Sequence, residues 1–222
     1  MMASLFSIFD PSTPPLLHLN WLSLLIPLTT FPPIFWLINS NILTIPKFIL
    51  SSLFSEIKTL TSYSFTKGLT LILLSMFTFT LLNNFMGLLP HVFTATSHLM
   101  MTISMALPFW LTFMIFGWIN NTTQMFSHMI PVGTPPILST FMVCVETISN
   151  LIRPITLSVR LSANMIAGHL ILALLSNCFS LSTNSIPMMI PEIMLISLES
   201  AVAIIQAYVF TILICLYSTE IH

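Results

Sequence analysis

The side chains that could do chemistry lie on two stretches near the C-terminus. In "ETISNLIRPITLSVRLSANMIAGHL", Glu146, Arg153 and Arg160 stand seven residues apart, and Asn150 and Asn164 follow the same stripe. One face of a helix would therefore carry nearly all of its strong polar groups. His169 lies nine residues past Arg160, which at 100° per residue points it to the other side of that helix. In "LESAVAIIQAYVFTILICLY", Glu199 and Gln206 continue a second seven-residue stripe that begins at Glu192. Carboxylates and imidazoles take up and release protons, whereas a guanidinium keeps its charge in any protein environment. The set reads as two proton wires separated by a barrier.

Each residue also has a plainer reading. Glu146 and Arg153 could form an ordinary intramembrane ion pair, His169 could be a satisfied buried hydrogen-bonder, and Gln206 could bond across helices as amides do in membranes. Arg160 fits such a reading least well. The nearest acid in sequence, Glu146, is ~21 Å away by helical rise, so its partner is expected from another helix or chain.

These groups are placed by a very apolar chain. Of 222 residues 56% are hydrophobic and 5% charged, against about 25% charged in a soluble domain; mean hydropathy is +1.00. This composition defines an all-α integral membrane protein. A net charge of −1 offers no basic face for nucleic acid. Cys144, Cys178 and Cys215 are widely spaced in apolar sequence and are expected to be small buried hydrophobes. His18, His91, His98 and His128 join no acid or thiol at ligand spacing, so no metal site is expected. Phosphate-binding glycine motifs are missing, so nucleotide chemistry is not expected on this chain, nor is any cofactor. The N-terminus lacks a basic region ahead of its apolar residues and does not read as a cleaved signal.

A single membrane domain over 1–222 accommodates the pattern. About 20 apolar residues cross the ~30 Å hydrocarbon layer. Spans are expected at about 16–38, 68–89 and 99–119, with an amphipathic surface helix at 46–62 built on Phe48, Ile49, Leu53, Phe54, Ile57 and Leu60. Two longer helices follow at 137–175, broken at Pro154, and 186–217. They exceed the bilayer, so they are expected to tilt steeply and to form a hairpin joined by "SNCFSLSTNS". Five membrane-embedded helices result. Lys47, Lys58 and Lys67 all lie between the first two spans, which places that loop and the C-terminus inside and the N-terminus outside.

The two C-terminal stretches, with "NNFMGLLPHVFTATSHL", resemble the a-subunit family of the rotary F-type ATP synthase in its mitochondrial form. The resemblance extends over almost the whole chain and is most specific in the last two helices. It implies a non-enzymatic stator subunit of the mitochondrial inner membrane. Its partners would be a ring of c subunits carrying one carboxylate each, other membrane and peripheral-stalk subunits, lipid, water and protons. By resemblance Arg160 matches the family's essential arginine, Asn164 its neighbouring asparagine, and Gln206 the glutamine facing the arginine. Glu146 matches the acid of the matrix-side exit, and His169 with Glu199 the pair lining access from the intermembrane space. Glu192 is an additional candidate, while Arg153 departs from the family's pattern. A self-contained proton or ion transporter is the alternative; such proteins often show an inverted repeat with broken helices, and none is visible. A purely structural anchor would not need four such polar groups at membrane depth.

Overall fold

The computed structural model describes residues 5–12, 19–30, 41–61, 68–89, 92–130, 135–181 and 186–220. Among them there is no strand. The helices are α1 (Ile26–Thr30), α2 (Asn41–Leu60), α3 (Leu69–Gly87), α4 (Leu99–Asn120), α5 (Thr122–His128), α6 (Pro136–Leu181) and α7 (Ile186–Glu220), with 3₁₀ turns at Leu5–Phe9, Leu19–Leu25 and Ala95–Ser97.

Aliphatic runs with few glycines favour helix because the backbone then satisfies its own polar groups where water is missing. Serine and threonine hydroxyls in these helices do the same. Ser75 donates to the Ile72 carbonyl at 2.8 Å, Ser104 to Met101 at 2.7 Å and Ser158 to Ile155 at 2.9 Å. At the start of α3, Gly68 adopts φ 102°, a left-handed conformation that a side chain would strain.

Four helices are long and apolar enough to cross a membrane: α3, α4, and the Leu138–Asn177 and Met189–Thr219 portions of α6 and α7. These match the expected spans from 68 onward. The span expected at 16–38 is described only as the 3₁₀ turn running into α1; its other residues lie outside the described ones. The surface helix expected at 46–62 is α2, which starts at Asn41 and passes through Pro46. Only Ile57 of its expected apolar face is fully buried.

Three details depart from expectation. Pro154 does not break α6, which runs from Pro136 to Leu181; a proline is tolerated at membrane depth where neighbouring helices pack against it, and Pro154 is buried. The tract expected to link the two long helices is helical through Leu181, and Ser176 bonds the Ala173 carbonyl at 2.9 Å. Cys144 is exposed and Cys215 fully buried, because Cys144 falls on the outward face of α6.

The core gathers Ile57, Leu73, Ala106, Leu157, Leu161, Phe210, Ile214 and Cys215 from five helices. α6 leans chiefly on α4 and α7 on α3, and the two long helices also pack against each other. Ala203 and Ala207 are buried on α7, letting backbones approach closely in the manner of membrane helix pairs. The chain directions of α6 and α7 are opposed. Arg153 meets Tyr217, Asn164 meets Gln206 and His169 meets Glu199, so contacts advance along one helix as they retreat along the other.

Candidate functional site

The α6–α7 seam collects the polar residues singled out in the sequence. At its Glu146 end, Arg153 Nη2 lies 3.7 Å from Glu146 Oε1, and the Arg153 guanidinium sits 5.2 Å from the Tyr217 ring centroid. Seven residues separate acid and base, two helical turns, so both side chains extend along the same face. The plain ion-pair geometry is therefore present. Stacking on Tyr217 gives Arg153 a packing role as well.

One turn beyond Arg160, the Asn164 amide donates from Nδ2 to Gln206 Oε1 at 2.8 Å. Gln206 is buried while Asn164 stays on the outer side. A further turn on, His169 Nε2 lies 3.8 Å from Glu199 Oε1, with side chains 13% and 6% exposed. That is an ion-pair distance rather than a direct hydrogen bond. His169 Nε2 and both Glu199 carboxylate oxygens have no hydrogen-bond partner among the described residues. Buried polar atoms of this kind are normally satisfied by water.

Arg160 itself is exposed, and no hydrogen bond or ion pair reaches it from the described residues. Its neighbours Val159, Ala163 and Ala167 are exposed too, so the arginine stands on an open, mostly apolar face of α6. An unpaired cation at membrane depth is costly.

An open cavity of about 830 Å³ leads to His169 and is also walled by Ser7, Asp10, Asn20, Thr94 and Glu192. Glu192 thus sits on the cavity wall, seven residues from Glu199 on the same stripe. The cavity ends where the buried His169–Glu199 pair begins. Titratable groups therefore reach from the cavity end of the seam to its middle, and Glu146 stands at the opposite end. Of the residues singled out in the sequence, Arg160, Asn164 and Gln206 lie between.

Two residues escaped the sequence reading. A Cβ built on Gly168 would lie 2.7 Å from Glu199 Cδ, so the absence of a side chain is what lets the carboxylate seat against α6. A lone glycine in an aliphatic helix was the available signal. Asn84 on α3 is fully buried, and neither amide atom is hydrogen-bonded among the described residues. The pair "NN" inside an apolar run was the available signal, but nothing local shows that it faces the bundle interior.

Among the described residues these features are those of an all-helical protein with four helices long and apolar enough to cross a membrane, and with a line of titratable side chains interrupted by an arginine. Residues 17–219 match the family model described as ATP synthase A chain, and the chain belongs to that family. It is 53% identical over 226 residues to ATP synthase subunit a of Anopheles quadrimaculatus, 54% over 224 to that of Drosophila simulans and 54% over 225 to that of Locusta migratoria, each covering 100% of both chains.

Proposed function

We propose that this chain is the proton-translocating stator subunit of a mitochondrial ATP synthase. Two offset half-channels carry protons to and from carboxylates on a rotating ring of c subunits, and the chain has no catalytic site of its own. The single observation that carries this reading is Arg160, exposed at the middle of α6 without a partner among the described residues, between two sets of titratable groups.

In this mechanism a proton from the intermembrane space passes the cavity beside Glu192 and reaches the His169–Glu199 pair. The Asn164–Gln206 pair holds the region between that pair and Arg160. A ring carboxylate accepts the proton, turns through the lipid, and meets Arg160 only after nearly a full revolution. The guanidinium cannot relay a proton, so it blocks direct leakage, and its charge stabilises the carboxylate once the proton has left toward Glu146 and the matrix. The attraction has to stay hydrated and brief, because a dry, tight ion pair would hold the ring still.

The layout requires five crossings, including the one at 16–38, with the N-terminus in the intermembrane space, the C-terminus in the matrix and α2 on the matrix surface. α6, with 46 residues, is ~69 Å long. It must lie steeply against the ring to remain within the bilayer. The exposed apolar residues of α2, including Phe48 and Ile49, suit an interfacial helix.

The test is Arg160→Ala in the assembled, reconstituted complex. ATP-driven pumping and gradient-driven synthesis are expected to be lost, with Arg160→Lys rescuing poorly because lysine loses its proton when desolvated. ATP synthesis from an imposed proton gradient in Arg160→Ala complexes would overturn the mechanism. A stable, active chain purified without a ring of small carboxylate-bearing subunits would favour the self-contained transporter.

A further inference from the structure

We infer that the N-terminal turn of this chain is a working part of proton access: Asp10 collects protons at the cavity mouth, and Phe9 fixes the ring of His169. The inference rests on the half-channel reading above.

The geometry joins parts distant in sequence. The Leu5–Phe9 turn packs on α6, and the Phe9 ring meets the His169 imidazole edge-on, with centroids 6.4 Å apart at 78°. Such an arrangement favours one ring orientation. The next residue, Asp10, lines the same cavity as His169 and Glu192. Its side chain is exposed, and Oδ1 accepts from the Ser12 amide at 3.0 Å, while its carbonyl accepts from Asn20 Nδ2 at 3.3 Å. The turn is thereby tied to the residues that follow it.

Among the described residues the cavity wall carries two carboxylates and one imidazole. Asp10 comes from the N-terminal turn, Glu192 from α7 and His169 from α6, while among the described residues α3 and the 92–94 segment add no ionisable side chain and no lysine or arginine lines the wall. Behind His169 stands Glu199, neither of whose oxygens is hydrogen-bonded among the described residues. The volume of about 830 Å³ corresponds to roughly 28 waters at ~30 Å³ each. A water-filled cleft bearing two carboxylates raises the local concentration of cations, protons included. Collection at the mouth should matter most when protons are scarce. Phe9 acts differently: it touches no proton-carrying atom, and holds Nε2 of His169 toward Glu199. It is a positioning residue.

The experiment measures gradient-driven ATP synthesis by the reconstituted complex against pH on the intermembrane-space side. Asparagine at position 10 keeps an oxygen for the Ser12 amide, so Asp10→Asn removes charge while preserving the turn. Asp10→Asn should lower the rate about three-fold at alkaline outside pH, and Asp10→Asn with Glu192→Gln about ten-fold, the low end of focusing by a charged cleft. Both deficits should shrink as the outside is acidified, and Asp10→Glu should restore the rate. Phe9→Ala should lower the rate at every pH, with rescue by Phe9→Tyr. Native electrophoresis of the same samples establishes that rates are compared at equal amounts of assembled complex.

A pH-rate profile of Asp10→Asn that superimposes on that of the parent protein overturns the collecting role, and an unchanged Phe9→Ala rate overturns the positioning role. Arg160→Ala, run alongside, separates this inference from its foundation. Loss of synthesis in Arg160→Ala with an unaltered Asp10→Asn profile defeats only the present inference. Persistence of synthesis in Arg160→Ala defeats the half-channel reading itself.

Discussion

Asn164 on α6 and Gln206 on α7, 42 positions apart in sequence, are joined by a 2.8 Å hydrogen bond from Nδ2 to Oε1 one turn from Arg160. The bond fixes the register of the two long helices where the polar line narrows. It also satisfies the buried carboxamide of Gln206. Asn164→Leu leaves the Gln206 oxygen buried without that donor and should cost about 1–3 kcal/mol. Replacing both residues by leucine should cost less than the single change. Thermal denaturation of the solubilised complex measures this; a double variant less stable than either single variant would show that the bond is not what matters there.

His169 and Glu199 should behave as one unit. With Nε2 and Oε1 3.8 Å apart and both groups buried, protonation of one alters the energy of the other. In a double-mutant cycle of His169→Ala and Glu199→Gln, proton flux should show a coupling of about 0.5–3 kcal/mol. Strictly additive losses would separate the two residues.

Gly168 should tolerate no side chain. Alanine would place its Cβ on the Glu199 carboxylate, and because that group is held in a helix seam it must turn away or push the helices apart. Overpacking of this kind costs about 1–3 kcal/mol. Gly168→Ala should therefore depress proton flux sharply in complexes that still assemble. Normal flux in such complexes would mean that Glu199 can work from another rotamer.

Glu146→Gln tests whether that residue carries protons or only pairs with Arg153. Glutamine preserves the shape and keeps an oxygen beside the guanidinium but cannot relay a proton. Flux in both directions should fall by roughly ten-fold or more, below the usual contribution of a positioned acid–base group, with assembly intact. If flux is unchanged, the 3.7 Å contact is a structural ion pair and the exit path runs elsewhere.

Sequence alone determined the membrane class, the positions of α3, α4, α6 and α7 to within a few residues at most ends, and the polar stripes on the last two helices. Those properties are local: apolar length decides whether a segment resides in lipid, and helical periodicity decides which residues share a face. It was less informative where local signals are ambiguous. Pro154 reads as a break, yet packing around it lets α6 continue, and the serines and asparagine after Leu175 read as a loop although a hydroxyl can be satisfied by its own helix. Cys144 and Cys215 look alike in sequence, and only the bundle sets one outside and the other in the core.

Tertiary structure alone decided the pairings. The seven-residue spacing of Glu192, Glu199 and Gln206 gives a stripe but not its partners, because the relative shift of two helices depends on side-chain fit along their whole contact. That fit sets Glu199 against His169, Gln206 against Asn164 and Tyr217 against Arg153. It also leaves Arg160 outward. The same holds for Phe9 and Asp10, which no periodicity connects to His169 160 positions later. Phe9 meets it, and Asp10 joins its cavity, because the N-terminal turn folds onto α6, a consequence of packing that no local pattern encodes.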